Sequence, residues 1–139
     1  MPIFVSMKSI GSFVVTKDQI DRHGERVIPT GAVNAKPGAS IPLLYNHIRA
    51  TMWNDSKSVP PGKWEFVSST ASELVFEGFV TEKSEFGRDL YDAVEEGRID
   101  SCSIRFRPLK WSDDPKDKLK GQRGYTITEY ELLEISLVD

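Results

Sequence analysis

Cysteine is almost missing from this chain of 139 residues, which contains only Cys102. A single cysteine excludes an internal disulfide and any multi-cysteine metal cluster. It fits a reducing cytoplasm. Histidine is nearly as scarce, with His23 and His47 alone, so imidazole chemistry has few possible sites. No apolar run approaches the roughly 20 residues needed to span a bilayer. The opening residues, MPIFVSMKSIG, lack a charged region followed by a long apolar stretch, so no signal peptide is expected. Neither sign of charge dominates: 18 Lys and Arg against 21 Asp and Glu give a net charge of −3. That supplies no global attraction to nucleic acid or an anionic membrane, and neither is expected as a partner. There is no His-Glu-x-x-His pair and no glycine-rich phosphate loop between a strand and a helix. No metal or other cofactor is therefore expected.

What is present suits one soluble domain over residues 1–139, with 39% hydrophobic and 28% charged residues. Ser12–Thr16, Val27-Ile28, Ile41–Ile48, Trp64–Val67 and Glu73–Val80 read as strands from their β-branched, aromatic and alternating residues. Leu74, Phe76 and Val80 fall on one face. In Ile41–Ile48, Leu44, Asn46 and Ile48 alternate against Leu43, Tyr45 and His47. Ser84–Gly97 reads as a helix, with Ser84 as N-cap, Glu85 at the positive end of the dipole and Gly97 as the terminating glycine. Its apolar stripe is Phe86, Leu90, Ala93 and Val94. Lys110–Gly124 is charged and reads as a solvated loop. Tyr125–Thr128 and Tyr130–Val138 read as closing strands, with Leu133, Ile135 and Leu137 together and Glu134 on the face of Leu132 and Ser136. The expected architecture is α+β: a mainly antiparallel, barrel-like sheet with one principal helix at 84–97 and short flanking helices or loops.

The most informative stretch is Ile99–Pro108, IDSCSIRFRP. With period 2, Cys102, Ile104 and Phe106 take one face, and Ser101, Ser103, Arg105 and Arg107 the other. The second face sets hydroxyls among cations, as a site handling a developing negative charge requires. A serine nucleophile needs a base to take its proton and donors for the oxyanion; an acidic group usually orients the base. Ser103, His47 and Glu134 supply such parts, although spacing alone does not bring them together. Ser101 competes as the hydroxyl. Cys102 points toward the core, where a small apolar role suits it. A salt bridge to Arg105 or Arg107 would account for Glu134 equally well. His23, beside a glycine in a polar turn, reads as surface. Arg105, Arg107 and Lys110 form a local cationic group that fits ordinary surface, anion binding or oxyanion support.

Four stretches, in order, resemble the phage prohead (capsid maturation) serine proteases, a family akin to the herpesvirus assemblin. They are Asp21-Arg-His-Gly-Glu-Arg-Val-Ile-Pro-Thr-Gly-Ala32, Pro42-Leu-Leu-Tyr-Asn-His47, Ile99-Asp-Ser-Cys-Ser-Ile-Arg-Phe106 after the helix, and Leu133-Glu-Ile-Ser-Leu-Val138. The resemblance covers nearly the whole chain. It implies Ser103 as nucleophile, His47 as general base and Glu134 as the group that orients it, and it favours Ser103 over Ser101. It implies an endopeptidase acting inside an assembling procapsid in the host cytoplasm. Scaffolding and major capsid proteins, and the protease itself, would be substrates or assembly partners, and a homodimer or higher oligomer is compatible. Arg105 stands where the family usually has Gly, and the segment between His47 and Gly62 is longer than usual. With Arg107, Arg105 is a candidate for oxyanion or substrate support. The competing expectations are a catalytically silent assembly protein of the same fold and a phosphate- or nucleic-acid-binding β domain resting on Arg105, Arg107 and Lys110.

Overall fold

The strand that carries Glu134 is also the one on which the sheet is built. In a computed structural model, which describes residues 6–47 and 60–139, this strand runs unbroken over Thr126–Val138. The other elements are β1 (Met7–Lys17), β2 (Arg26–Val27), β3 (Ser40–Tyr45), β4 (Gly62–Ser69), β5 (Glu73–Thr81), α1 (Glu85–Glu95) and β6 (Ser101–Ser112), so Thr126–Val138 is β7. Among the described residues there are also two short 3-10 turns, Pro29–Gly31 and Pro115–Asp117. The Ile48 end of one expected strand and residues 54–59 of the expected loop lie outside the described residues.

Along one edge, β7 pairs antiparallel with β6, from Ser101 opposite Val138 to Ser112 opposite Thr126. Its other edge is shared. β2 pairs in parallel at Thr126 and Ile127, and β3 pairs in parallel at Ile135 to Leu137. Between them, the Asn34 side chain does the work of a strand: its amide donates to the Leu132 carbonyl at 3.0 Å and its oxygen accepts from the Leu132 N–H at 2.9 Å. The buried edge thus keeps its backbone groups paired. From β3 the sheet continues antiparallel through β4 and β5 to β1. It curls until β1 approaches β6, where the Cys102 thiol lies 3.8 Å from the Val14 carbonyl. The result is a half-barrel with one helix. The expected α+β, mainly antiparallel core is present, with two parallel pairings that no local pattern announced.

The concave core holds Leu43, Trp64, Phe76, Tyr130, Ile135 and Leu137, with Cys102, Ile104 and Phe106 packed against it. The apolar face read from IDSCSIRFRP therefore faces inward. Trp64 is fully buried yet satisfied, since its indole N–H donates to the Ile135 carbonyl at 2.9 Å. The Ser84 hydroxyl accepts from the Gly87 N–H at 3.0 Å and caps α1. At the other end, Gly97 has φ +75°. Its N–H bonds to the Val94 carbonyl, and the Arg98 N–H bonds to that of Ala93, a Schellman closure.

Four expectations need correction. Lys110–Ser112 belong to β6, not to a loop, because the strand pairing continues past irregularities at Pro108–Trp111 that hide the alternation. Tyr125–Thr128 and Tyr130–Val138 are not two strands; Glu129 is part of one ladder and salt-bridges Lys110 at 3.2 Å. Leu133 does not join Ile135 and Leu137. Arg105 opposes Glu134 while Phe106 opposes Leu132, so Leu133 bulges outward and is 41% exposed, leaving Leu132 in the core. Phe86 is 46% exposed rather than buried with Leu90 and Ala93, and meets Tyr45 edge-on.

Gly62 sits where β4 and β5 nearly touch, and an added Cβ would strike the Phe79 carbonyl oxygen. Gly62→Ala is expected to cost about 2–3 kcal/mol through forced strand separation, read as a lower urea midpoint with an unchanged m-value.

Candidate active site

Residues directly opposed across an antiparallel ladder share a face. Ser103 opposes Ser136, and Arg105 opposes Glu134. All four side chains therefore stand on the face turned away from Ile104 and Ile135. Leu44, beside Ser136 on β3, belongs to the same rung and is also buried. Burial of both Leu43 and Leu44 explains why β3 shows no clear alternation.

His47 comes over this face from the end of β3. It was expected within a strand, but the strand stops at Tyr45 and the chain turns. Asn46 and His47 have φ of +50° and +59°. This left-handed region costs most residues energy, though Asn and His enter it more readily than most. Several bonds hold the turn. The Asn46 N–H donates to the Leu137 carbonyl at 2.9 Å. The His47 N–H donates to Ser136 Oγ at 2.9 Å. The Asp139 carboxylate accepts from the Tyr45 hydroxyl at 2.6 Å and from the Asn46 side-chain amide at 3.3 Å. Those two bonds also hold the Asp139 carboxyl below the usual carboxylate range.

The ring of His47 is fixed by the acid. Its Nδ1 lies 3.0 Å from Oε1 of Glu134, a side chain only 2% exposed. An ionised carboxylate only accepts, so this contact places the proton on Nδ1 and leaves the Nε2 lone pair free. Arg105 Nη1 is 3.9 Å from the same oxygen. The structure thus joins His47 to Glu134 directly and places Ser103 one rung away, across from the serine that holds the His47 backbone. Ser103 and His47 do not hydrogen-bond to each other. Such contacts are often loose before substrate arrives.

The remaining candidates separate clearly. Arg107 is 2.8 Å from Glu131, and Lys110 meets Glu129. With Arg105 and Glu134 these form a cross-strand series of opposite charges, which leaves little free positive charge for a phosphate. Ser101 is exposed opposite Val138, away from the acid. His23 is exposed in a turn held by the Asp21 carboxylate, which accepts from the His23 and Glu25 N–H groups. Burial pushes the Cys102 thiol up to about 12. Its thiolate is then negligible at neutral pH, which disfavours it as a nucleophile. In the folded chain Cys102 is expected to resist iodoacetamide at pH 8 and to alkylate rapidly in urea, as mass spectrometry would show. Fast native labelling would contradict the packing described. Among the described residues, no group of three or more His, Cys, Asp or Glu is arranged to hold a metal ion.

Two features were missed from the sequence. One is Ser136, read only as a neighbour of Glu134. The other is a cleft of about 380 Å³ between β1 and β6, lined by Val14, Arg22, His23, Cys102, Ser103, Ile104 and Phe106 but not by His47 or Glu134. The Ser136 signal was available, since it lies two residues after the acid and so on the same strand face. The cleft arises from sheet curvature, which leaves no local sequence mark.

No curated protein and no solved structure matches the chain. The family model of the caudovirus prohead serine proteases matches residues 6–139, which takes in every element described above. With that match spanning nearly the full length, the chain belongs to the caudovirus prohead serine protease family.

Proposed function

We propose that this chain is a serine endopeptidase that cuts scaffolding segments, and its own chain, during procapsid maturation, using Ser103, His47 and Glu134. The observation that carries the reading is the His47 ring, set on a buried carboxylate beside the strand rung that holds Ser103. His47 Nε2 takes the Ser103 proton as Oγ attacks the scissile carbonyl carbon. Backbone N–H groups hold the oxyanion, and Glu134 stabilises the imidazolium. The imidazolium then protonates the leaving amine as the C–N bond breaks. Water, deprotonated by His47, hydrolyses the resulting acyl-enzyme and restores the serine. Arg105 and Arg107 are assigned to oxyanion or substrate support, with Arg107 sharing its charge with Glu131. Scaffolding and major capsid proteins are the partners, met inside the procapsid in the host cytoplasm, and a homodimer or higher oligomer is the working assembly. Kinship of the half-barrel with the herpesvirus assemblin belongs to the same reading.

The competing reading is a catalytically silent assembly protein. Arg105 favours it, because a long side chain stands beside the serine and the acid. A fluorophosphonate probe applied to the chain alone and with procapsids separates the two. Labelling at Ser103 together with scaffold cleavage supports the protease. Intact scaffold and unlabelled Ser103 under both conditions support the silent protein.

A further inference from the structure

We propose that Ser136 is a positioning residue of the active site, which sets the His47 backbone so that the imidazole meets Ser103. The inference rests on the Ser103–His47–Glu134 reading above. Ser136 is completely buried, at 0% exposure. Its Oγ accepts the His47 N–H at 2.9 Å. It also stands directly opposite Ser103 on the β6–β7 ladder. One side chain thus touches the base's backbone from the rung of the nucleophile.

β7 grips His47 at two points. Glu134 holds the ring through Nδ1, and Ser136, two residues along the same face, holds the main chain. The two grips do different things. The carboxylate sets the tautomer and restrains the ring, but a ring can pivot about that single contact. The amide bond removes this freedom by fixing where the His47 Cα stands. The φ of +59° at His47 makes the restraint more necessary, since the backbone has lower-energy conformations to relax into.

Ser136 is not needed to attach the turn to the sheet. The Asn46 N–H to the Leu137 carbonyl and the Tyr45 and Asn46 bonds to Asp139 remain without it. Losing the hydroxyl is therefore expected to blur the position of the base while β3 and β7 stay paired. Small misplacements of a reacting group can cost about 100-fold in rate.

The test uses the full chain with a scaffold-derived peptide. Ser136→Ala is expected to lower kcat by about 10- to 100-fold with KM within about twofold, since the hydroxyl contacts the base and not the substrate. Ser136→Cys, similar in size but a weaker acceptor, is expected to fall between. Amide hydrogen exchange supplies the readout that a merely structural role would not give. In Ser136→Ala the His47 amide should exchange at least about tenfold faster while the Asn46 amide stays protected. Freed His47 amide with unchanged kcat overturns the proposal. So does a kcat loss accompanied by lost protection throughout β3 and β7, which marks Ser136 as structural. Equal cleavage by wild type and Ser103→Ala overturns the underlying triad reading instead.

Discussion

Ser103→Ala is expected to reduce cleavage of a scaffold substrate by on the order of 10⁴- to 10⁶-fold. On the proposed mechanism, removing the hydroxyl removes the atom that forms the acyl-enzyme, and neither neighbour replaces it. Ser101 lies opposite Val138, away from the acid, and Cys102 is packed inward with its thiol pushed up to about 12. Folding should be nearly untouched, because Ser103 is only half-buried and makes no side-chain hydrogen bond among the described residues. The measurement is a time course by mass spectrometry on matched wild-type and variant protein, with thermal melts as the control. Ser101→Ala should cleave within a few-fold of wild type. Cleavage surviving in Ser103→Ala but lost in Ser101→Ala would move the nucleophile to the other serine.

Glu134→Gln is the second large effect, on the order of a 10⁴-fold loss in kcat. The substitution keeps the shape and removes the charge. If the amide NH₂ faces Nδ1, the ring must accept there and carry its proton on Nε2, where it is no base. If the amide oxygen faces Nδ1, the tautomer survives but the imidazolium loses its counter-charge. Either way the base is weakened while hydrogen bonding in the buried position continues, so stability should change far less than rate. Arg105 is exposed and 3.9 Å from the acid, and loses little by its removal. This separates Glu134 as part of the site from Glu134 as a simple salt-bridge partner. In the second case Arg105→Ala and Glu134→Gln would have similar small effects on stability, and neither would slow cleavage.

The helix could be read from the sequence because its determinants are local: a capping serine, a stripe at 3.6-residue spacing and a glycine past the end. The inward face of IDSCSIRFRP followed from strict alternation over Cys102, Ile104 and Phe106. Two parts were hidden for physical reasons. Where Leu133 bulges, the period of 2 is reset, so a pattern count assigns Leu133 to the core and Leu132 to the outer face, the reverse of their places. The left-handed turn at Asn46-His47 depends on bonds to Ser136, Leu137 and Asp139, far away in sequence. The contact between His47 and Glu134 spans 87 positions. No local rule supplies it; the family resemblance suggested the pairing, and the parallel register of β3 on β7 provides it.

That register also bears on when the chain can become active. β1 to β5 already contain the histidine, yet a growing chain without β7 has no acid beside His47, no hydroxyl for its backbone and no strand against which to seat β3. Contacts this distant in sequence form late, because the loop they close must be ordered first. A chain still emerging from the ribosome therefore holds His47 and Ser103 but none of the β7 groups that position the histidine. On the proposed chemistry, cutting begins only once β7 has docked. On that reading, a chain lacking β7 cannot cut itself or its neighbours.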